Sequence, residues 1–489
     1  MSGKSVLAIF GLLLLGAWAL PAQEEKISRT RHVITLDGQQ IPYTATAGTL
    51  VLRGEDGKPR ASVFHIAYTR DGVKDPAGRP VTFAFNGGPG AATVKLHLAA
   101  FGPRRVELDP EGFPLPPPSR LVENQESILD VTDLVFVDPV STGFSRPAPG
   151  VDAKEFHGLE NDIESMAEFI RLWITRNGRW ASPRFLAGES YATTRVAGLS
   201  EHLVTRHGMR LNGVILISVL LNHQDHRFHI GNDMPFLTFL PTYTAAAWYH
   251  KKLAPELSGG LHRTLEEVER FAVEEYGPAL LEGDRLPADR QRQIAGKLAR
   301  YTGLSVDYVL RSNLRIEHFR FCKELLRDRR LTIGRIDARF TVTDLDAVGE
   351  YGEFDPSLTY LSAPFLEGTL DYLHGELGYR EDHLVYERLS SKVFPWQYPE
   401  GRYANLAERL RLAMMKNPSM KVLVASGYYD LATPYFAARY TVAHMGLSEA
   451  DRKRVRFVDY DSGHMPYIRR EGHRKFKKDV AEFIRDAAP

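Results

Sequence analysis

The fold of this chain can be predicted from one segment, Arg184-Phe185-Leu186-Ala187-Gly188-Glu189-Ser190-Tyr191-Ala192. An apolar strand enters the segment, a Gly-x-Ser turn follows, and a helix-forming run continues to His207. This order is typical of a nucleophile elbow, where a sharp turn between strand and helix exposes a serine hydroxyl at the edge of a parallel sheet. Ser190 is therefore the candidate nucleophile. The motif is weak evidence by itself, because Ala192 stands where the common pattern has a second glycine.

Strands and helices alternate on both sides of this segment. Short apolar runs at residues 81–85, 133–137 and 213–218 predict buried strands. Residues 155–176, which lie between the second and third runs, carry apolar side chains at helical spacing. This alternation predicts an α/β fold with a mostly parallel sheet flanked by helices.

An antiparallel meander is predicted upstream of this sheet. Its β-rich runs are residues 32–36, 41–46, 50–53 and 61–68. Asp37-Gly38 and Asp56-Gly57 lie between such runs, and Asp-Gly in that position is a hairpin signal. The meander is expected to lead into the main sheet.

A glycine-rich loop, Asn86-Gly87-Gly88-Pro89-Gly90, directly follows the strand at residues 81–85. Glycines just past a strand end let the backbone approach a ligand closely and turn its N–H groups toward it. A nucleotide phosphate loop would require a Gly-x-Gly-x-x-Gly pattern or a terminal Lys-Ser/Thr, and both are missing from this loop. A plain surface turn is the other alternative.

Composition limits the classes of function. Lys and Arg number 62 and Asp and Glu 61, so no large net charge favours nucleic acid or an anionic membrane surface. With 489 residues, 43% of them hydrophobic, the chain can bury a large core in more than one structural unit. Cys322 is the only cysteine, so it cannot form an intramolecular disulfide, and we expect it to be buried as a small apolar residue.

The first 22 residues have the pattern of a secretory signal peptide. Lys4 precedes an apolar run from Val6 to Leu15, and small residues precede Gln23. We therefore expect a periplasmic or secreted protein that starts near Gln23 and has no stable membrane partner. An uncleaved N-terminal anchor is the alternative, although the apolar run is short for a membrane span.

The predicted pattern of strands and helices is interrupted for a long stretch. Residues 223–390 consist mostly of helical runs and are predicted to be a cap inserted into the core. The core would then have a first part at residues 23–222, with the meander, and a second part at residues 391–489. Ligand pockets are common at such boundaries, so the cap is expected to shape specificity.

A histidine-rich group occurs where this cap begins. His223, Asp225, His226 and His229 have a spacing that could hold a metal ion. No further ligand group is evident nearby, and a polar seam between core and cap explains the same residues. We therefore predict no metal and no cofactor.

The partners that Ser190 requires occur near the end of the chain. A predicted strand at residues 421–426 leads to Asp430, and one at residues 455–460 leads to His464. The order serine, aspartate, histidine is that of α/β-hydrolases. Asp459 and Asp461 are rival partners, but they lie on or directly after the strand that leads to the histidine.

These residue types suffice for acyl transfer. His464 would take the proton of Ser190 and later donate it to the leaving group, while Asp430 would orient the imidazole and stabilise its cation. Attack on a carbonyl creates an oxyanion. The backbone N–H groups of Tyr191, next after the nucleophile, and Gly88, in the glycine loop, are the candidate donors to it.

The chain resembles the serine carboxypeptidase family of α/β-hydrolases, and within it the bacterial, disulfide-free members. The resemblance extends over about residues 81 to 470. The matching stretches are Asn86-Gly87-Gly88-Pro89-Gly90, Gly102-Pro103, Asp138-Pro139-Val140, Thr142-Gly143-Phe144-Ser145, Gly188-Glu189-Ser190-Tyr191-Ala192, Ser426-Gly427 with Asp430, and Gly463-His464-Met465.

The resemblance implies hydrolysis of the last peptide bond of substrates that carry a free C-terminal carboxylate. It also implies that the Asn86 side chain, the Gly87 N–H and a protonated Glu189 bind this carboxylate. Two carboxyl groups in contact share a proton, so substrate binding is expected to be tighter in acid.

Ala100 departs from the family pattern, because it stands where members commonly have a second glutamate. Without that partner, we expect Glu189 to ionise more normally and the acid preference to weaken. The triad is also compatible with an esterase, an acyltransferase or an aminopeptidase, since fold does not determine function. A binding protein on an inactive hydrolase scaffold is a further alternative.

Overall fold

A ten-stranded sheet forms the centre of the protein. The computed structural model describes residues 24–488, so the predicted signal peptide at residues 1–22 lies outside the described residues. The strands are β1 (Ile27–Leu36), β2 (Gln39–Arg53), β3 (Pro59–Arg70), β4 (Val81–Phe85), β5 (Arg104–Val106), β6 (Leu121–Glu123), β7 (Asp133–Val137), β8 (Arg146–Pro147), β9 (Arg184–Ser190), β10 (Gly213–Val219), β11 (Leu331–Ile333), β12 (Thr341–Thr343), β13 (Lys421–Gly427) and β14 (Val455–Tyr460). The α-helices are α1 (Leu159–Arg176), α2 (Tyr191–His207), α3 (Met234–Tyr249), α4 (Pro255–Ser258), α5 (Leu261–Phe271), α6 (Gly277–Glu282), α7 (Ala288–Thr302), α8 (Val306–Arg311), α9 (His318–Glu324), α10 (Pro356–Gly375), α11 (Ala407–Lys416), α12 (Tyr435–Ala443), α13 (Glu449–Arg452) and α14 (Arg470–Ala487).

The order of the strands confirms the predicted α/β class. The main sheet runs β1-β2-β3-β7-β4-β9-β10-β13-β14, with β8 paired to β3. Neighbours from β1 to β7 are antiparallel, and neighbours from β7 through β4, β9, β10 and β13 to β14 are parallel. The carboxyl ends of six neighbouring parallel strands therefore meet at one edge of the sheet, which is where ligands bind in open α/β folds.

Helices cover both faces of the sheet. On β9, the side chains of Phe185 and Ala187 belong to one apolar layer and that of Leu186 to the other, because successive residues of a strand face opposite ways. Helices α1, α2 and α11 contribute to the layer that contains Leu186, and α10 and α14 contribute to the opposite one. Within residues 24–488, no helix is long and apolar enough to cross a membrane.

The meander has three strands rather than the four predicted runs. Asp37 and Gly38 connect β1 to β2 with φ values of 49° and 78°, as a two-residue hairpin turn requires. The predicted break between residues 46 and 50 was wrong, because β2 continues through it. Gly48 pairs there with Ile27 and His65. A Cβ at Gly48 would lie 2.5 Å from the Lys26 carbonyl oxygen, so this glycine permits close packing rather than a turn.

Residues 223–390 contain mostly helices, together with the β11–β12 hairpin, which the sequence did not predict. The helices enclose a third apolar cluster, in which Cys322 is buried as predicted. Tyr429 and Leu431, which flank Asp430, belong to the same cluster. The predicted cap thus packs directly on the loop that carries Asp430. Its boundaries at residues 222 and 390 stay a prediction.

Candidate active site

Ser190 stands at the turn between β9 and α2. Its φ is 64° and its ψ is −130°, a left-handed backbone conformation that is rare for a residue with a side chain. Such backbone strain is typical of a nucleophile elbow, where it lifts the hydroxyl out of the sheet. Gly188 allows the turn to close, because a Cβ there would collide with the backbone of Ala192.

Asp430 and His464 follow the neighbouring parallel strands β13 and β14, so they lie at the same sheet edge as Ser190. His464 Nδ1 lies 2.7 Å from Asp430 Oδ2. Thr433 donates its hydroxyl to the same carboxylate oxygen at 2.6 Å and its N–H to the other at 3.0 Å. Asp430 is fully buried. Its carboxylate is therefore held in one orientation toward the imidazole.

The rival carboxylates face elsewhere. Asp459 accepts a hydrogen bond at 2.5 Å from the guanidinium of Arg439, and Asp461 is exposed to solvent. Both lie on or directly after the strand that leads to His464, as the sequence indicated.

The main chain of His464 is held by two residues that sequence reasoning missed. Its N–H donates to the Ile336 carbonyl at 2.8 Å, and its carbonyl accepts from the Ser218 hydroxyl at 2.6 Å. Ser218 is fully buried at the end of β10 and has a φ of 52°. Ile336 belongs to the predicted cap. The position of the imidazole therefore depends on both the sheet and the cap.

Ser190 and His464 line one cavity of about 180 Å³, which we call the elbow cavity. The glycine loop and Glu189 line it as well. Within residues 24–488, no hydrogen bond joins the Ser190 hydroxyl to the imidazole. Catalytic hydrogen bonds often tighten only when substrate is bound, so this geometry is compatible with a nucleophile and its base.

The glycine loop packs tightly against the elbow. A Cβ added at Gly87 would lie 2.6 Å from the Tyr191 nitrogen and 2.9 Å from the Ser190 Cβ, and Gly88 has a φ of 107°. Among the described residues, no acceptor takes a hydrogen bond from the N–H of Gly87 or Gly88. Tyr191 is the first residue of α2, where N–H groups lack a partner inside the helix. These free N–H groups can receive an oxyanion or a carboxylate.

Asn86 and Glu189 form a buried polar pair beside Ser190. Asn86 Nδ2 donates to Glu189 Oε1 at 2.9 Å, and the Tyr467 hydroxyl donates to the other carboxyl oxygen. Burial raises the pKa of Glu189, and the nearby His464 and Lys95 oppose this only in part. Burial thus raises the pKa of Glu189 although Ala100 supplies no second glutamate, and the comparison with family members that have one stays a prediction.

A buried ion pair supports the elbow from below and was not predicted. Arg195 on α2 binds Asp162 on α1 at 2.8 Å, with side-chain exposures of 1% and 2%. The Arg195 guanidinium also donates to the Asn86 carbonyl at 3.1 Å, and the Tyr191 hydroxyl donates to Asp162 at 3.3 Å. The pair thus links the glycine loop, the elbow helix and α1. The one sequence signal for this ion pair is a charged residue at a helix position where an apolar residue is expected.

The histidine-rich group lies at the start of the predicted cap, where its side chains contact residues of other segments. His223 packs edge-on against Tyr398, and Asp225 accepts from the Asn222 amide at 2.9 Å and from the Thr441 hydroxyl. His229 packs against Tyr403. Within residues 24–488, no three side chains of His, Cys, Asp or Glu are grouped as metal ligands.

Comparisons with known proteins agree with these features. A model of the serine carboxypeptidase family matches residues 51–269. Serine carboxypeptidase-like 45 of Arabidopsis thaliana is 26% identical over 210 residues, which cover 40% of this chain and 41% of that protein. The pheromone-processing carboxypeptidase KEX1 of Saccharomyces cerevisiae is 29% identical over 167 residues, which cover 32% of this chain and 22% of that protein.

The matched segments span less than half the length of these relatives. Similarity in fold to a solved structure extends over more of the chain than these aligned segments do. The crystal structure of a prohormone-processing carboxypeptidase from Saccharomyces cerevisiae covers 91% of both chains with a TM-score of 0.57 at 15% identity. Over residues 51–269 the chain is therefore similar to the serine carboxypeptidase family, and its fold is similar to that of a solved carboxypeptidase.

Proposed function

We propose that the protein is a serine carboxypeptidase that removes the last residue of peptides with a free C-terminal carboxylate. The observation that carries this proposal is the Asn86–Glu189 pair, whose 2.9 Å hydrogen bond lies beside Ser190 in the elbow cavity. An esterase needs only the nucleophile and its base. A carboxylate-binding pair next to them favours a substrate that ends in a carboxylate.

In this proposal, His464 takes the proton of Ser190 as the hydroxyl attacks the carbonyl of the last peptide bond. Asp430, at 2.7 Å from the imidazole, stabilises the cation that forms. The N–H groups of Gly88 and Tyr191 stabilise the oxyanion. The imidazolium then protonates the leaving amine, and water hydrolyses the acyl-enzyme by the same steps in reverse roles.

Carboxylate binding follows from the ionisation of Glu189. Its raised pKa keeps the carboxyl protonated to higher pH than usual, so it can donate a hydrogen bond to the substrate carboxylate. The Asn86 amide and the free Gly87 N–H supply two further donors. The Asn86 amide is oriented for this role because its oxygen accepts from the N–H groups of Lys95 and Leu96 at 2.9 and 3.1 Å.

The location of the protein is part of the same proposal. We infer a periplasmic or secreted enzyme from the signal-like pattern of residues 1–22. Substrates are then peptides outside the cytoplasm.

The experiment compares an N-blocked dipeptide with the same dipeptide as its C-terminal amide. Protein that lacks residues 1–22 is incubated with each substrate between pH 4 and 8, and the released amino acid is measured by mass spectrometry. We expect cleavage of the free acid only. Ser190→Ala is the control and should lose about 10⁶-fold in kcat.

Two outcomes would contradict the proposal. Equal cleavage of acid and amide, or hydrolysis of a simple ester alone, would support Ser190 as the nucleophile but contradict the proposed carboxylate-binding site. Failure of a fluorophosphonate to label Ser190 would contradict the role of Ser190 as the nucleophile.

A further inference from the structure

Three basic side chains line the elbow cavity, those of Lys95, Arg335 and Arg388. We call them the cationic wall. Each is half-buried. They come from three distant parts of the chain, so neither sequence spacing nor the family motifs brings them together. Their meeting on one cavity is a property of the tertiary structure.

Main-chain hydrogen bonds hold the three positions. The Lys95 N–H donates to the Asn86 side-chain oxygen at 2.9 Å. The Arg335 carbonyl accepts from Leu431 at 3.0 Å. The Arg388 carbonyl accepts from the N–H of Ala92, in the segment after the glycine loop, also at 3.0 Å. The wall is thus anchored to the glycine loop and to the loop that carries Asp430.

No carboxylate of the described residues forms an ion pair with the cationic wall. Of the ion pairs within residues 24–488, none includes Lys95, Arg335 or Arg388. Burial lowers the pKa of Lys95 and of Arg388, because both cations have lost part of their hydration. Unpaired, partly desolvated cations are unfavourable unless an anion joins them.

The acidic groups nearest to the wall have other partners. Glu189 is hydrogen-bonded to Asn86 and Tyr467, and its raised pKa favours the neutral form. Asp355 accepts from the N–H groups of Ile336 and Ser357 at 3.2 and 3.0 Å, which caps α10. Glu387 pairs with an exposed lysine. The cavity therefore has an excess of positive charge.

The wall adjoins the proposed site for the terminal carboxylate. The Lys95 N–H donates to the Asn86 side-chain oxygen, and both residues line the elbow cavity, so the wall includes a residue in contact with the proposed carboxylate site. The remaining lining includes the apolar side chains of Leu358, Leu361 and Phe365. A side chain with a short apolar stem and an anionic end matches both surfaces.

We propose that the cationic wall selects substrates whose last residue is aspartate or glutamate. The leaving residue would then bring two carboxylates, the terminal one to Asn86, Gly87 and Glu189, and the side-chain one to the wall. This inference rests on the proposed carboxypeptidase function and specifies its substrate class.

The test uses N-blocked dipeptides that differ only at the last residue, glutamate or the isosteric glutamine. We expect kcat/KM to be at least about tenfold higher for glutamate, because close charge pairs of this kind contribute that much to recognition. The preference should fall as salt is added, since ions screen the half-exposed cations. Equal rates for the two dipeptides, or a preference for glutamine, would overturn the inference.

Variants assign the preference to the wall. Lys95→Met and Arg388→Met should each lower the ratio of kcat/KM for glutamate over glutamine, and Lys95→Arg should keep it. Lys58→Met, at a lysine whose side chain is 82% exposed on a distant hairpin, should leave the ratio unchanged. Fluorophosphonate labelling of each variant shows that it is folded. A ratio that persists in Lys95→Met and Arg388→Met would refute the assignment.

Two further arms separate this inference from the function on which it rests. A second dipeptide pair, with glutamate or glutamine next to last, tests the position of the acidic residue. A preference at that position alone would overturn the assignment to the last residue. If no free-acid dipeptide is cleaved, the carboxypeptidase proposal fails as well, whereas cleavage without a glutamate preference overturns only the present inference.

Discussion

Replacement of Glu189 by glutamine tests how the substrate carboxylate is bound. Both carboxyl oxygens of Glu189 accept hydrogen bonds, from Asn86 at 2.9 Å and from Tyr467, and burial raises its pKa. In the proposed function, a protonated Glu189 donates to the substrate carboxylate, whereas an ionised Glu189 would repel it. Glutamine is of similar size, always neutral and always a donor. Glu189→Gln should therefore remove the pH dependence of binding without altering the nucleophile.

The magnitude follows from the repulsion between two carboxylates. At about 4 Å and an effective dielectric constant of about 20, two like charges repel by about 4 kcal/mol. That energy corresponds to about 10³-fold in affinity, or about three pKa units, at about 1.4 kcal/mol per tenfold. KM of the wild-type protein should thus be constant below the pKa of Glu189 in the free enzyme. Above it, KM should rise by up to about tenfold per pH unit.

The assay measures KM and kcat for a free-acid dipeptide at half-unit steps from pH 4 to 8. The comparison uses KM, because kcat also depends on the chemical step at Ser190. We expect a rising KM for the wild type and a flat one for Glu189→Gln. Glu107→Gln, outside the elbow cavity, should reproduce the wild-type profile. Parallel KM profiles for the wild type and Glu189→Gln would refute the reasoning.

The same pKa shift has a consequence for stability. A carboxyl with a raised native pKa stabilises the fold fully below its unfolded pKa of about 4.3, and this contribution is lost as pH rises through the native pKa. The Tm of the wild type should therefore decrease relative to that of Glu189→Gln above pH 4.3. A constant difference in Tm between the two proteins from pH 4 to 8 would contradict this.

Three further predictions concern the supports of the site. Gly87→Ala should displace the elbow, since its Cβ would lie 2.6 Å from the Tyr191 nitrogen, and kcat should fall by more than about tenfold; unchanged kinetics would refute this close packing. Ser218→Ala removes the hydrogen bond to the His464 carbonyl, which contributes about 1 kcal/mol. We expect kcat to fall several-fold with KM unchanged. A change in KM alone would contradict a positioning role. Arg195→Met leaves Asp162 buried without its partner, so the free energy of unfolding measured in urea should fall by about 3–5 kcal/mol. Adding Asp162→Asn should restore part of this loss. A loss below about 1 kcal/mol would contradict the structural role of the ion pair.

The sequence by itself predicted the parts of the protein that depend on local pattern. The elbow at Ser190, the hairpin turn at Asp37-Gly38 and the strand at residues 455–460 were each predicted from a few consecutive residues. Such features follow from backbone conformations and side-chain periodicity that neighbouring residues determine. The chain order of Ser190, Asp430 and His464 indicated their shared sheet edge, because parallel strands align their carboxyl ends.

Contacts between distant segments were decided only by the tertiary structure. Glycine is common in turns, yet Gly48 lies inside the continuous strand β2, where it allows the backbone of Lys26 to approach closely. The pKa of Glu189 depends on burial, which a missing glutamate in the sequence could not indicate. The three cations of the wall meet only because the cap and the glycine loop pack together. Electrostatics and packing act through space, so residues hundreds of positions apart determine them jointly, and no local pattern contains that information.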